Sequence, residues 1–568
     1  MINRRFLNMF QNKKILSLIT FLILSFSILW ILNNTATGND DIYYKIDKGL
    51  FNLKEVFETV SRNYVDELDP EGLSKSAING MLEDFDPYTV FYEDPGSENL
   101  RMITSGKYGG VGMEIGFQNG KVTVMSPMDG TPAQRAGIQS GDIITKIDGQ
   151  PVSELSIEEA SHKLRGKIGS KVTIEIERPF VEKPIVIDLT REEIIINDVT
   201  YAEFIEPGTA FIRLSRFSDK AGTELKEAIR TLKAEGEIKD VILDLRGNPG
   251  GLLTAAVEVV DVFVDPDQLV VSTRGSHENE TKFYTQEDPL LPDQKLVVLI
   301  NEFSASASEI VAGAIQDLDR GVLVGTRSFG KGLVQKVYPI DNVTQSYLKV
   351  TTAKYYIPSG RSIQKEDYKK NKDVFVDLSD SVEYNKNVKY YTKNGRVVHG
   401  GGGIKPDVEI PAEDMDRFLM SLSARGYFFR FTVDYLSKNP DLKNGDNLKV
   451  TDDILSDFIE SVKKENVNIE LEGQKELDDF LEIAKKKNYD SDLTDLVSVA
   501  LQKLEAQRSG IFQKNREKIR QMLDAEFAEN IGGNKARIRN TLTYDIQTQK
   551  AVELLHNSEI YNQTLAVK

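Results

Sequence analysis

Leu296-Val297-Val298-Leu299-Ile300-Asn301-Glu302-Phe303-Ser304-Ala305-Ser306-Ala307-Ser308-Glu309-Ile310-Val311-Ala312-Gly313-Ala314-Ile315-Gln316-Asp317-Leu318 reads as strand, turn and helix in succession. Leu296 to Ile300 is a short apolar run that ends in polar residues, the pattern of a buried strand. Glu309 to Leu318 reads as a helix, and the polar run from Ser304 to Ser308 joins the two. A side chain on such a turn sits where unpaired backbone N–H groups point outward and where the positive end of the helix dipole is felt. Both favour an oxyanion formed by attack on a carbonyl. Taken alone, the serines are better read as helix N-caps.

The flanking sequence repeats the pattern. Val241-Ile242-Leu243-Asp244-Leu245 is another buried-strand run, and it enters Arg246-Gly247-Asn248-Pro249-Gly250-Gly251 before a helical stretch from Leu252 to Phe263. The glycines let backbone approach a ligand closely, and one of their amides could donate to an oxyanion. In isolation the loop is an ordinary strand-to-helix turn. Downstream, Gly325-Thr326-Arg327-Ser328-Phe329-Gly330-Lys331-Gly332-Leu333-Val334-Gln335 supplies a lysine. Lysine can take a serine's proton if burial keeps its amine neutral. The same stretch has phosphate-loop spacing, but Gly332 stands where Ser or Thr must hold magnesium, and strand-like Leu333 to Tyr338 follows where a helix is needed. Nucleotide binding is therefore set aside. Strands and helices alternate over 191–410, which predicts α/β architecture, and Tyr347 to Tyr355 alternates as a half-buried strand near the lysine.

In order, Phe211-Ile212-Arg213-Leu214-Ser215-Arg216-Phe217-Ser218, the Asp244-Leu245-Arg246-Gly247 loop, the serine turn, Phe329 to Gln335, Tyr356-Ile357-Pro358-Ser359-Gly360-Arg361-Ser362-Ile363-Gln364 and Gly403-Ile404-Lys405-Pro406-Asp407 resemble the carboxy-terminal (tail-specific) processing proteases. These are serine peptidases with a Ser-Lys dyad, and the resemblance spans about residues 45 to 410. It implies that Ser306 is the nucleophile, Lys331 the general base and Gln335 the group that orients the lysine. The amides of Gly251 and Ala307 would form the oxyanion hole, with Ser304 and Ser308 structural. The implied reaction passes through an acyl-enzyme and needs no cofactor.

Residues 105–190 resemble a PDZ domain. Gly109, Gly110, Val111 and Gly112 would be the loop whose successive amides hold a terminal carboxylate. Met113 to Phe117 alternates like an edge strand that accepts an added peptide strand, and Glu158 to Arg165 would be the helix across the groove. His162 is expected on that helix, lining the groove or facing solvent.

At the N-terminus, Arg4, Arg5, Lys13 and Lys14 precede an apolar run from Ile15 to Leu32, which reads as a membrane anchor or signal peptide directing the rest outward. The chain has no cysteine, so neither a disulfide framework nor thiol chemistry is available. Its histidines, His162, His277, His399 and His556, show no metal-ligand spacing. A formal net charge of −17 argues against non-specific nucleic-acid binding.

The expected architecture is multidomain: an α/β peptidase core with an inserted PDZ domain, a small N-terminal helical domain and a helical C-terminal extension. The divisions fall at 1–38 (targeting segment), 42–104 (helical domain), 105–190 (PDZ), 191–410 (core) and 412–568 (extension). The expected protein is a serine endopeptidase of the cell envelope, anchored or exported, that selects protein or peptide substrates by a free C-terminus. A homo-oligomer or an adaptor is left open, as is the role of the extension. Two other readings stand beside it: a catalytically silent PDZ scaffold and a Ser-His-Asp esterase.

Overall fold

The computed structural model describes residues 42–566, apart from 94–101, 103, 277–278, 342–345, 366–387, 414, 445–447, 466–470, 472 and 509. The expected membrane anchor or signal peptide lies outside the described residues, among which no helix is long and apolar enough to cross a membrane. The chain divides into two compact units, one ending at Asp84 and the other beginning at Phe85.

The first unit holds a helix over 42–63 and the helix Pro70–Leu82. Asp69 caps the second, its carboxylate accepting the N–H groups of Glu71 and Gly72, each at 3.0 Å. The helical domain expected over 42–104 is thus shorter than its sequence suggested. After Asp84 the chain makes a turn in which Asp86 Oδ1 accepts from Tyr88 N at 2.9 Å and Thr89 N at 3.0 Å. The strand Val90–Tyr92 then pairs with Ser346–Tyr356 of the second unit. Three β-favouring residues outweigh the helical periodicity upstream.

The second unit is organised by a six-stranded sheet in the order Val199–Glu206, Thr209–Leu214, Asp240–Asp244, Lys295–Ile300, Val322–Gly325, Val408–Glu409. The first pair is antiparallel and every later pair parallel. Side chains alternate across it. Ile212, Leu243, Val298 and Leu323 pack with the helices Ala221–Glu235, Leu253–Asp261 and Ala307–Asp317. Phe211, Ile242, Val297 and Val324 face the opposite side, where Ile538, Ala551, Leu554, Leu555 and Tyr561 cover them. A largely parallel sheet must be buried on both faces, and here its second cover comes from the end of the chain.

The C-terminal extension therefore has two parts. Phe418, Phe428, Phe458, Phe512, Leu523 and Phe527 build a separate aromatic core. Gly533, at φ +70°, then breaks the Arg516–Leu542 helix and redirects the chain. The helices Ile546–His556 and Ser558–Leu565 return to the central sheet. Tyr561 Oη donates to Leu296 O at 3.0 Å and accepts from Leu296 N at 3.0 Å. Assigning all of 412–568 to an appendage thus misses a structural layer of the core. The sequence carries no sign of it, because an amphipathic helix does not say which sheet it covers.

Residues 113–190 form their own sheet, Met113–Gln118, Lys121–Pro127, Ile143–Ile147, Lys171–Glu177, Ile185–Thr190, with Met113–Gln118 at its edge. The helix Ile157–Leu164 lies beside that edge strand and begins in a capping box: Ser156 Oγ accepts from Glu159 N at 3.2 Å and Glu159 Oε2 from Ser156 N at 2.7 Å. A ribbon of Lys107–Gly110 and Glu192–Ile195 joins this domain to the rest.

Candidate active site

The serine turn sits at the C-terminal end of the Lys295–Ile300 strand, where the helix Ala307–Asp317 starts. Ser306 has φ +55° and ψ −113°, a conformation that L-residues rarely hold. Its flanking serines explain how it is held. Ser304 Oγ donates to Leu245 O at 2.8 Å, and Ser308 Oγ donates to Asn248 O at 2.9 Å. Both are fully buried, whereas Ser306 is half-buried.

The glycine loop closes on this turn. Asn248, buried, donates from Nδ2 to Leu214 O at 2.7 Å, accepts Gly250 N on Oδ1 at 2.9 Å and takes Ala305 N on its carbonyl at 3.0 Å. A Cβ on Gly250 would lie 2.6 Å from Ala305 O and 2.9 Å from both Ala307 N and Ser306 Cβ, and φ there is +95°. A Cβ on Gly251 would collide with Phe217 O. Only glycine fits either position, and the Gly250-Gly251 turn lies against the start of the Ala307–Asp317 helix. Gly251 and Ala307, the amides expected to form an oxyanion hole, therefore stand on abutting turns.

The lysine reaches the same place through Glu309. This fully buried carboxylate accepts Ser306 N at 2.9 Å and Lys331 N at 2.8 Å on one oxygen, and Gly330 N at 2.7 Å and Ser328 Oγ at 2.5 Å on the other. Burial pushes its carboxyl up, against those four hydrogen bonds, which favour the charged form. Tyr355, also buried, donates from its hydroxyl to Ser306 O at 3.1 Å and to Lys331 O. The serine turn and the lysine loop are thereby fastened at two points.

Burial, with the Lys349 charge adding to it, brings the Lys331 amine down to about 8, while Glu309 and Asp86 oppose the shift. About a tenth of the amine is then neutral and basic at pH 7, against well under a thousandth for a free lysine. Lys331 Nζ lies 4.6 Å from the centroid of the Tyr88 ring, without a hydrogen bond to Ser306 Oγ. Gln335 does not touch the amine: its Nε2 donates to Thr351 Oγ1 at 3.4 Å, and Thr351 Oγ1 donates to Asp86 Oδ1 at 3.0 Å. No hydrogen bond links Ser306 to His162, His399 or His556, and His277 lies outside the described residues. His162 is exposed, and His556 pairs with Glu206 at 2.5 Å.

Glu309, Tyr355, Tyr88 and Asp86 were not anticipated. Glu309 had a readable signal, because Ser306-x-x-Glu309 has capping-box spacing. The others come from distant sequence and had none.

In the PDZ-like domain the glycine segment is divided. Gly109 and Gly110 belong to the Lys107–Gly110 strand, opposite Glu193 and Glu192, and Gly109 O accepts Gly166 N at 3.0 Å. Val111 and Gly112 alone form the turn into the edge strand, and both are buried. The arrangement expected of four successive free amides is narrower here, because ribbon pairing absorbs its first half.

Residues 208–374 match peptidase family S41, residues 123–178 match a PDZ domain, and residues 418–555 match the C-terminal helical domain of probable PDZ-proteases. The chain is 38% identical over 356 residues to the carboxy-terminal-processing protease of Bartonella bacilliformis, covering 62% of this chain and 80% of that protein. It is 34% identical over 337 residues to a probable CtpA-like serine protease of Staphylococcus aureus, covering 59% of this chain and 66% of that protein. Among solved structures it is similar to a photosystem II D1 C-terminal processing protease, with 29% identity, 63% of this chain and 92% of that one covered, and a TM-score of 0.34.

Proposed function

This chain belongs to the carboxy-terminal-processing proteases of peptidase family S41 and is a serine-type protease with a PDZ domain, and from that premise we propose that it cuts proteins near a free C-terminus by a Ser306–Lys331 dyad. Neutral Lys331 takes the proton of Ser306 Oγ as that oxygen attacks the scissile carbonyl. The developing oxyanion is met by the amides of Gly251 and Ala307. The tetrahedral intermediate collapses, the lysine returns its proton to the leaving amine, and an acyl-enzyme remains. Lys331 then activates the water that hydrolyses the ester, and Ser306 is restored. Gln335 acts on the lysine from a distance, through the Thr351–Asp86 side of its pocket.

One observation carries this reading: a lysine amine lowered to about 8 and a backbone-strained serine are tied to the same buried carboxylate, Glu309. A purely structural lysine gains nothing from an amine that gives up its proton so much more readily than a free one. Substrate selection is assigned to the PDZ domain. The edge strand Met113–Gln118 accepts the substrate tail by strand addition, and the Gly109–Gly112 segment, chiefly Val111 and Gly112, receives its carboxylate. By the same proposal the enzyme works in the cell envelope, facing outward, and the apolar run from Ile15 to Leu32 behind basic residues supports this.

Fluorophosphonate labelling tests the chemistry. Ser306 should be labelled in the parent protein, and Ser306→Ala and Lys331→Ala should each abolish peptide-bond cleavage with the fold retained. A folded parent protein left unlabelled at Ser306 would instead support a silent scaffold. One protein substrate carrying a free or an amidated C-terminus tests selection, and equal cleavage of the two sinks carboxylate recognition. Intact mass of protein from the native envelope tests targeting: retention of Trp30 supports an anchor, and a start near Thr35 to Asp40 supports a cleaved signal.

A further inference from the structure

The loop that carries Gly250 and Gly251 begins at Arg246, and Arg246 is held from the far end of the chain. Its Nε and Nη2 donate to the two oxygens of buried Asp244 at 2.8 and 3.0 Å. That carboxylate already balances the guanidinium charge. A second one, Asp545 Oδ2, nevertheless lies 2.6 Å from Arg246 Nη2. Arg246 Nη1 donates to Gln547 Oε1 at 2.9 Å, and Thr548 Oγ1 donates to Asp545 Oδ2 at 2.7 Å, orienting it. Arg246 Nη2 also donates weakly to Thr548 Oγ1 at 3.4 Å, so three residues of the C-terminal segment meet its guanidinium.

Asp545 does two separable things. As the N-cap of Ile546–His556 its Oδ1 accepts Gln547 N at 3.0 Å, and its Oδ2 serves Arg246. The helix it caps is seated on the central sheet, with Ala551, Leu554 and Leu555 buried there. Gln547 Nε2 adds a bond to Ile410 O at 2.8 Å. Asp545 is therefore presented to Arg246 from a fixed support. Burial alone would raise its carboxyl, but the Arg246 hydrogen bond and charge more than reverse this and hold it below the ordinary range.

From Arg246 the constraint runs toward the reacting atoms. Gly247 N donates to Asn301 Oδ1 at 2.9 Å, and the loop then passes through buried Asn248 to the Gly250-Gly251 turn against Ala307. We propose that Asp545 is a positioning residue of the peptidase reaction, acting through Arg246 to fix the loop that presents the Gly251 amide. The last helices of the chain are then part of the catalytic apparatus and not a detachable extension. This rests on the assignment of Ser306 as nucleophile and Gly251 as oxyanion donor.

The test uses the full chain with Asp545→Asn and Asp545→Ser. Both replacements remain good N-cap residues, so the helix keeps its start while Arg246 loses its second carboxylate. Expected are an approximately tenfold or larger fall in kcat and in the rate of Ser306 acylation by a fluorophosphonate, with KM within about twofold. Asp545→Glu, which keeps the charge although Glu is a poorer N-cap, should recover part of that loss. Parental acylation rates in both neutral variants, or a change confined to KM, overturn the inference. If both neutral variants melt at the assay temperature, Thr548→Val decides, since it keeps the Asp545 charge and cap and removes the hydroxyl that orients the carboxylate and weakly accepts from Arg246 Nη2: a lowered kcat supports the role and an unchanged kcat overturns it. A folded parent that is not acylated at Ser306 overturns the proposed function and this inference together. Normal parental labelling with unaffected variants overturns this inference alone.

Discussion

Two glycine segments of this molecule look alike in sequence and carry different loads. At Asn248-Pro249-Gly250-Gly251 the missing Cβ atoms let one backbone turn lie against another, at the place where charge develops in the proposed reaction. At Gly109-Gly110-Val111-Gly112 the neighbours are of other kinds. A Cβ on Gly110 would meet the ring of Tyr108 at 2.6 Å, and one on Gly112 would meet the Thr131 side chain. Those two obstacles are side chains, although Gly109 in the same segment faces backbone, Gly166 O at 2.2 Å, whereas the nearest obstacles around Gly250 are the backbone atoms Ala305 O and Ala307 N. The first loop is packed backbone against backbone where the proposed chemistry takes place, and the second meets side chains at Gly110 and Gly112, where substrate tails would be received.

Gly250→Ala puts that contrast under the heaviest stress. Strain at φ +95° and a Cβ at 2.6 Å from Ala305 O should cost about 1–3 kcal/mol in stability and at least ~100-fold in acylation rate. Thermal melts and stopped-flow labelling measure both, and near-parental acylation would show that the backbone contact at Gly250 does not fix the loop. Glu309→Gln should come next. Its amide puts an NH2 group in place of one oxygen, facing either the N–H groups of Ser306 and Lys331 or the N–H of Gly330 and the hydroxyl of Ser328. The buried mismatch should cost about 1–3 kcal/mol and lower kcat about tenfold or more, leaving binding of a tail peptide to the PDZ domain unchanged by calorimetry.

Gly112→Val probes the other side. With φ at +74° and Thr131 in the way, cleavage of a free-tailed protein should fall about tenfold, and cleavage of a short peptide by less than about threefold. Equal losses on both substrates would mean that the two segments are not separable.

The smallest effect concerns pH. The parent's kcat/KM should rise with pH through an ionisation near 8, because only the neutral Lys331 accepts a proton. Lys349 helps to depress that ionisation, so Lys349→Gln should move it upward. Activity at neutral pH then falls a few-fold and converges with the parent in base. A profile that does not move, or moves down, would separate Lys349 from the dyad.

Much of this was legible from sequence, for identifiable reasons. The strands Asp240–Asp244 and Lys295–Ile300 are apolar runs ending in turn residues, and the chain must bury them. Ser304, Ser306 and Ser308 differ only by what lies around them, so the choice of Ser306 rested on resemblance. The structure buries the outer two on backbone carbonyls and leaves the middle one at a strained φ. Gln335 was expected on the lysine and instead binds Thr351, since alternation along a strand gives the face of a side chain but not its partner.

The sequence alone carried the α/β character of the core, because periodicity and turn spacing are local, and through its resemblance to a known family it supplied the order of the domains and the candidate reacting residues. Tertiary structure decided what those residues experience. Burial beside Lys349 lowers the Lys331 amine, Glu309 ties two loops together, and Tyr88 and Asp86 arrive from a segment expected to be a helical domain. It also decided that Ile538 to Leu565 closes the second face of the central sheet and brings Asp545 to Arg246. Solvent exclusion and the meeting of distant charges depend on the folded whole, and no stretch of sequence contains them.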